Sequence, residues 1–434
     1  YIPSDTNDEG IFKATASGSL PNGKPVIVNA DGTVSVVAES AVSQAAGTPV
    51  VFEAATLDLG DGRGVASAFD TVNNRIVIAY KDNANSNYGT AIVGTIDPSD
   101  NSISYGSATV WYSGSASYVC ITFDENAGKF VIGYRANGNN NYGTAIVATV
   151  SGSSISFGSA SVFESANTFE TSIAYDANAQ KSLIVYRDAG NSAYGTSVVA
   201  TISGTSISFG SPTIFNSGNT QYTASVYDAS AQKVVIAYTD YPSGNFGKAV
   251  VATISGTSVS FGSTVTFESA TTVDNGISYD SFAQKVVISY KDSGNSGYGT
   301  AIVGSVSGTS ISFGSAAVFN AGDVYYTNPA YDANANKTVI VYRDVANSSY
   351  GTAISGTISG TSISFGSETV FESAATNWTW ATYDSTNKKV LITYVDGGNS
   401  SHGTSVVFQA GYTAQNLTAE NYIGMSTGGT YASG

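Results

Sequence analysis

The sequence predicts an all-β fold, a seven-bladed β-propeller, on three observations. The tripeptide Tyr-Gly-Thr recurs with its tyrosine at Tyr88, Tyr142, Tyr194, Tyr298 and Tyr350, and Phe246 and His402 hold the same place in two further copies. The first interval is 54 residues and every later one is 52, and a period near 50 marks propellers and solenoids. Each copy holds four strand-like segments, and the two ends of the array carry complementary fragments of one copy. The 434-residue chain therefore reads as one large repeat domain over 45–410, with flanks at 1–44 and 411–434.

One clear copy justifies the elements in order. Ser172-Ile-Ala-Tyr-Asp176 reads as a first strand and Ala177 to Gln180 as a polar turn. Lys181 to Arg187 reads as a second strand, where Leu183, Ile184, Val185 and Tyr186 run together without a polar break. Such a run predicts burial on both faces, as a strand between two neighbouring sheets needs. Asp188 to Ala193 forms a loop, Tyr194 to Ile202 a third strand, and Ser203-Gly204-Thr205-Ser206 a tight hairpin turn. Ile207 to Phe215 alternates apolar residues with Ser and Gly and contains Pro212, so it is read as the outermost strand. The seventh copy ends after Thr404-Ser-Val-Val-Phe408 without such a strand, while Ala46-Gly-Thr-Pro-Val-Val-Phe52 resembles an orphan one. Placing this N-terminal strand on the last blade closes a ring; an open solenoid, the alternative, leaves both fragments unexplained.

In the N-terminal flank, Lys24 to Val28, a turn at Asn29-Ala-Asp-Gly32 and Thr33 to Val37 read as a β-hairpin. The expectation is that 1–44 and 411–434 form a small split β-module that attaches the propeller to something else. The printed sequence begins at Tyr1 and reads as a processed chain or a fragment.

Only 11% of residues are charged and 42% are hydrophobic, which fits a folded chain. The formal net charge of −15 opposes phosphate backbones and anionic membrane surfaces, so nucleic acid is excluded as a partner. No run of 18 apolar residues occurs, and no membrane insertion is expected. Cys120 is the sole cysteine and His402 the sole histidine, which removes internal disulfides, cysteine zinc sites and most triad chemistry. His402 merely takes the repeat tyrosine's place, and Cys120 reads as a small buried hydrophobe.

Gly10 to Val37, which contains Ser-Gly-Ser-Leu-Pro-Asn-Gly-Lys-Pro-Val-Ile-Val-Asn-Ala-Asp-Gly, and Leu417-Thr-Ala-Glu-Asn-Tyr-Ile-Gly424 resemble segments of virion structural proteins from tailed phages of marine bacteria, especially cyanobacteria. The Tyr-Gly-Thr-Ala and Ser-Ile-Ser-Phe-Gly-Ser units are similar to repeats of such phage appendage proteins. The resemblance spans about the whole chain and implies a tail fibre, spike or decoration, located in the virion or outside the cell, with other virion subunits as partners. It carries no catalytic residues.

Two loops of each repeat share the default ligand face. The loop after strand two shows Asp-x-x-Asn-x-x-Tyr, with Asp82, Asp188, Asp292 and Asp344 followed by Asn85, Asn191, Asn295 and Asn347; Asp396 and Asn399 precede His402. Asp and Asn readily bond nearby N–H groups, so the pattern reads first as turn architecture. A calcium site on these aspartates is the sharper alternative, although no calcium-loop spacing accompanies them; no other cofactor is expected.

The approach to strand one behaves differently, because here the copies disagree. The pairs are Arg63 and Gly64, Ser117 and Tyr118, Phe169 and Glu170, Gln221 and Tyr222, Val273 and Asp274, Tyr325 and Tyr326, and Asn377 and Trp378. Trp380 adds a ring where other copies mostly carry small residues. Architecture demands identity between repeats, whereas a site for one asymmetric partner does not. Tyr118, Phe169, Tyr222, Tyr325, Tyr326, Trp378 and Trp380 are thus the candidate ligand residues, since aromatic rings suit host-surface glycan or protein recognition. The competing reading has them plugging an axial channel or packing between blades.

An enzyme is not expected. Arg135, Arg187 and Arg343 share one repeat position, filled by Lys81 and Lys291 elsewhere, which looks structural. The sequence therefore supports a non-enzymatic virion or extracellular propeller that binds glycan or protein. The alternatives are a decoration or filament subunit without a ligand, and a glycoside hydrolase with two carboxylates in one pocket.

Overall fold

A computed structural model of the chain describes residues 15–29, 31–37, 39–56, 64–415 and 422–425. The fold is all-β. Two compact units are distinguished: one joins 1–43 to 411–434, and the other spans 44–410.

In the smaller unit, Pro25–Val28 lies between Val34–Val36 and Tyr422–Met425, and Glu39–Val42 pairs with Tyr412–Gln415. The two flanks therefore do share sheets. Gly32 turns the hairpin at φ 81°, and Asp31 accepts hydrogen bonds from the Thr33 N–H and hydroxyl. Ala16, Leu20, Val26 and Val34 form its small core.

The larger unit is a single antiparallel hydrogen-bonded array of 29 strands. In the third repeat, Lys181–Asp188 pairs with Tyr194–Ser203, with Asp188 opposite Tyr194. Leu183, Ile184, Val185 and Tyr186 are fully buried, as their unbroken apolar run demands. Gly204 takes φ 62° at the first turn position, so that Ser203 pairs with Ser206 in a twist-matched hairpin.

The outer and first strands differ from the sequence-based expectation. Ser206–Phe209 stops, residues 210–212 belong to no strand, and a 16-residue strand, Thr213–Asp228, follows. Its head pairs with Tyr194–Ser203 and its tail with Lys233–Asp240 of the next repeat. One strand thus serves two repeats, with no turn between them. The break has a packing cause: a Cβ on Gly210 would collide with the carbonyl oxygen of Thr257, in the hairpin turn of the next repeat. Gly158, Gly262 and Gly314 meet Thr205, Thr309 and Thr361 in the same way, which accounts for the glycine of the Ser-Phe-Gly-Ser unit in these repeats, while Gly366 of the last unit has only the Ser355 carbonyl near, at 3.8 Å.

The glycine of Tyr-Gly-Thr answers to a second contact between repeats. A Cβ on Gly195 would lie 2.6 Å from the Phe215 ring, and Gly143, Gly247, Gly299 and Gly351 are overlaid likewise by Phe163, Phe267, Phe319 and Phe371; Trp111 covers Gly89. Each ring also packs on a buried tyrosine of the next repeat. Seven such pairs, from Phe52–Tyr80 to Phe371–Tyr394, have centroids 4.5–5.4 Å apart. The hydroxyls of Tyr80, Tyr186, Tyr290 and Tyr394 donate to Glu53, Glu164, Glu268 and Glu372 at 2.9–3.1 Å.

The two ends of the array meet. His402–Gln409 pairs with Ala45–Ala46 and Val50–Thr56, with Thr404 opposite Val51 as Thr196 is opposite Ile214. The Trp380 indole donates to the Ser67 carbonyl at 3.0 Å, and the Ser67 and Thr382 hydroxyls lie 2.7 Å apart.

Two outcomes follow. Gly195→Ala should destabilise the protein by about 1–3 kcal/mol through overpacking, and Phe215→Ala by about 3–5 kcal/mol, both read from urea unfolding; no loss in Gly195→Ala would remove the steric role. Burial raises the phenols of Tyr80, Tyr134, Tyr186, Tyr290, Tyr342 and Tyr394 far above their ordinary value, and that of Tyr238 to about 12. Unfolded tyrosines ionise first as pH passes about 10, so the unfolded state then binds fewer protons and stability falls with rising pH. The melting temperature should be insensitive to this group below about pH 9 and drop steeply above about pH 10; a flat profile through pH 11 would contradict it.

Candidate functional site

The variable pairs sit on β-bulges. Register slips between Ser117 and Cys120, Phe169 and Ser172, Gln221 and Ala224, Val273 and Gly276, Tyr325 and Asn328, and Asn377 and Trp380. At each slip the second residue of the pair is left-handed: Tyr118, Glu170, Tyr222, Asp274, Tyr326 and Trp378 have φ between 48° and 58°. This conformation costs an L-residue with a Cβ about 1–2 kcal/mol, so it persists only where neighbours enforce it.

The neighbours are hydrogen bonds between repeats. Thr171, Thr223 and Thr379 donate their hydroxyls to the carbonyls of Tyr118, Glu170 and Tyr326. Thr327 Oγ1 donates to the Asp274 carbonyl at 2.8 Å, and Asn275 Nδ2 to the Tyr222 carbonyl at 3.2 Å. The two acidic residues add a second tie: Glu170 accepts from the Tyr222 N–H at 3.2 Å, and Asp274 from the Tyr326 N–H at 2.7 Å.

Held this way, the bulge side chains surround a cup of about 230 Å³. Tyr118, Tyr222, Tyr326 and Trp378 alternate in part with Glu170 and Asp274 around its wall, and Tyr325 joins them. The Tyr326 and Trp378 rings lie 4.5 Å apart. Burial first, then the charges of Asp274 and Glu170, hold the Tyr222 phenol well above its ordinary pKa; burial and Asp274 raise that of Tyr326. Both therefore remain hydrogen-bond donors at neutral pH.

Beneath the cup, a recess of about 20 Å³ is shared by Asp274, Tyr326, Trp378 and Trp380. Deeper still is a cavity of about 210 Å³ to which every repeat contributes, through Ser67, Cys120, Ser172, Ser225, Gly276, Asn328 and Trp380.

The structure thus brings Tyr118, Tyr222, Tyr325, Tyr326 and Trp378 into one cup and separates the other two candidates from it. Phe169 is not part of its lining: its ring meets Tyr118 edge-on at 5.5 Å and lies against the guanidinium groups of Arg135 and Arg187, 4.8 and 5.1 Å from its centroid. Trp380 lies one layer deeper, tied to Ser67 across the junction of the first and last repeats. Arg63 falls outside the described residues. Glu170 and Asp274 are the additions: the repeat alignment displays them at the same position as the tyrosines, but a search for aromatic rings passes over them.

The shared cationic position supports the site from below. Arg135 stands opposite Ser117 in register and lies 4.9 Å from the Tyr118 ring centroid, while Lys291 Nζ sits 3.5 Å from the centre of Tyr325 and 2.5 Å from Asp323. The loop aspartates are turn caps. Asp82, Asp292 and Asp344 each accept from a backbone N–H of their own loop at 3.1 Å, and Asp188 and Asp396 from two each. They belong to separate repeats, and among the described residues no three His, Cys, Asp or Glu side chains gather as a metal site.

No protein-family profile matches the chain. No curated protein sequence matches it. Solved structures do resemble it. A lectin of Burkholderia pseudomallei, BP39L, shares 9% identity with a TM-score of 0.56 over 82% of this chain and 99% of its own. A protein of unknown function from Dyadobacter fermentans shares 12% identity at 0.51, over 85% and 99%. A chain of the mitotic checkpoint complex shares 9% at 0.51, over 84% and 95%. At these identities the likeness is one of all-β fold.

Thr327 ties the centre of the cup wall, since its hydroxyl also accepts from Ser289 Oγ at 3.1 Å. Thr327→Val should therefore cost about 1–3 kcal/mol in chemical unfolding, because two buried polar groups lose a partner; a change within about 0.5 kcal/mol would show that the bulge holds itself.

Proposed function

We propose that the protein is a seven-bladed β-propeller, closed by its N-terminal strand, whose cup binds the end of a neutral glycan without chemical change. The observation that carries this reading is the cup itself, where one variable bulge from each of six repeats delivers an aromatic or carboxylate side chain to a shared space. Rings offer an apolar face to sugar C–H groups, and carboxylates and phenols offer acceptors and donors to its hydroxyls. Variation between otherwise matching repeats suits a ligand without sevenfold symmetry. The fold shared with a protein described as a lectin supports it.

Two carboxylates in one cavity also suit glycoside hydrolysis. Here Glu170 and Asp274 each hold the backbone N–H of a neighbouring bulge, a positioning role, and we assign no chemical step to them. The setting we propose is a virion appendage or another extracellular assembly, with the paired flanks as the mount; the resemblance to phage appendage proteins supports this. A decoration without a ligand is the competing account, and it leaves six left-handed bulges without a purpose.

A glycan array probed with the full chain should return a restricted set of terminal saccharides. Tyr222→Ala should weaken that binding tenfold or more, about 1.4 kcal/mol, with little change in melting temperature. Silence across the array would sink the glycan reading, and release of a shortened glycan from bound material would make the protein an enzyme.

A further inference from the structure

The recess beneath the cup has the size and polarity of a single oxygen atom. Its volume of about 20 Å³ is close to the room that one water occupies. Most of its wall is already committed within the protein. Thr327 and Thr379 donate to the carbonyls of Asp274 and Tyr326, Asn328 Oδ1 accepts from the Ala381 N–H at 3.0 Å, and the Trp380 indole donates to Ser67. Among the buried side-chain polar atoms of its described lining, Trp378 Nε1 is the one that has no partner. A buried donor left in this state costs about 1–3 kcal/mol, so such a group calls for an acceptor.

The geometry points to an anchor subsite in which one hydroxyl of the glycan enters this recess, accepts from Trp378 Nε1 and donates to the Asp274 carboxylate. This rests on the glycan reading and narrows it. An ether or carbonyl oxygen accepts but does not donate, and an ammonium donates but does not accept; a hydroxyl does both. A carboxylate offers about four lone-pair sites, so Asp274 takes the hydroxyl while keeping the Tyr326 N–H. The indole ring forms the cup wall above, so one residue stacks on the sugar and fixes its orientation. Discrimination follows, because a site built around a buried hydrogen bond rejects an analogue that lacks the hydroxyl far more strongly than an apolar pocket rejects a missing methylene.

The 434-residue chain labelled with ¹⁵N at tryptophan gives three indole signals, from Trp111, Trp378 and Trp380, which can be titrated with the methyl glycosides of glucose, galactose, mannose and fucose. At least one glycoside should shift the Trp378 signal and leave that of Trp111 in place. Trp378→Phe keeps a ring but removes the N–H, and should weaken that glycoside tenfold or more while the Trp111 and Trp380 signals, and the melting temperature, report an intact fold. Unchanged affinity in Trp378→Phe overturns the subsite and leaves the cup reading standing. An ordered water that remains in the recess of the sugar complex overturns it too. If no glycoside moves the Trp378 signal, the subsite falls, and array binding by the same preparation decides whether the cup reading falls with it.

Discussion

The contact on which the rest of this structure depends is a ring laid on a glycine. In six repeats a Phe or Trp covers the glycine at one repeat position, five times in Tyr-Gly-Thr and once in Phe246-Gly247-Lys248, and packs on a buried tyrosine of the next repeat. Phe52 and Tyr80 make the corresponding pair where the chain's two ends meet. Aromatic pairs contribute about 0.5–1.5 kcal/mol each beyond their buried area, so seven of them amount to roughly the net stability of an ordinary domain. The pairing sets the spacing between successive repeats and leaves no room for a Cβ, which is why the tripeptide keeps time along the chain.

A scaffold fixed by identical contacts can vary only where those contacts are absent. The bulges at the start of each first strand are such places. At five of the six, the carbonyl of the left-handed residue accepts from a hydroxyl or amide of the neighbouring repeat, so the backbone is held whatever the side chain, and Glu170 and Asp274 add a tie of their own to the next bulge. Tyr118, Glu170, Tyr222, Asp274, Tyr326 and Trp378 differ for that reason, and bulges commonly serve to re-aim side chains toward a site. The strain at these positions is shared among repeats through bonds that tie one bulge to the next, and a pre-organised wall of this kind would lower the ordering cost of the proposed binding.

Much of the scaffold was legible in the residues. Unbroken apolar runs marked the second strands, Ser-Gly-Thr-Ser marked the hairpin, and the fragments at the two ends predicted the pairing of His402–Gln409 with Val50–Thr56. The merging of outer and first strands was not legible. Ile207 to Phe215 reads as one alternating outer strand that contains Pro212, and only the structure shows it interrupted at 210–212, where Gly210 meets the Thr257 carbonyl. At the candidate site, variation between repeats points to positions that line the cup, but the left-handed backbone did not show, because Tyr, Glu and Trp do not advertise positive φ. The aromatic criterion admitted Phe169, which is occupied by two arginines, and omitted Glu170 and Asp274. The same criterion placed Trp380 with the ligand candidates, whereas its ring lines the second cavity together with Ser67 and Thr382.

The most direct measurement is a high-resolution crystal structure of the full chain with a saccharide selected from the array. The sugar should lie in the cup among Tyr222, Asp274, Tyr326 and Trp378, with the six bulge residues still left-handed and the aromatic pairs between repeats unchanged. A sugar seated between outer strands, or bulges that relax to extended backbone when the ligand is absent, would contradict the view that a rigid, repeated scaffold presents its one asymmetric face for binding.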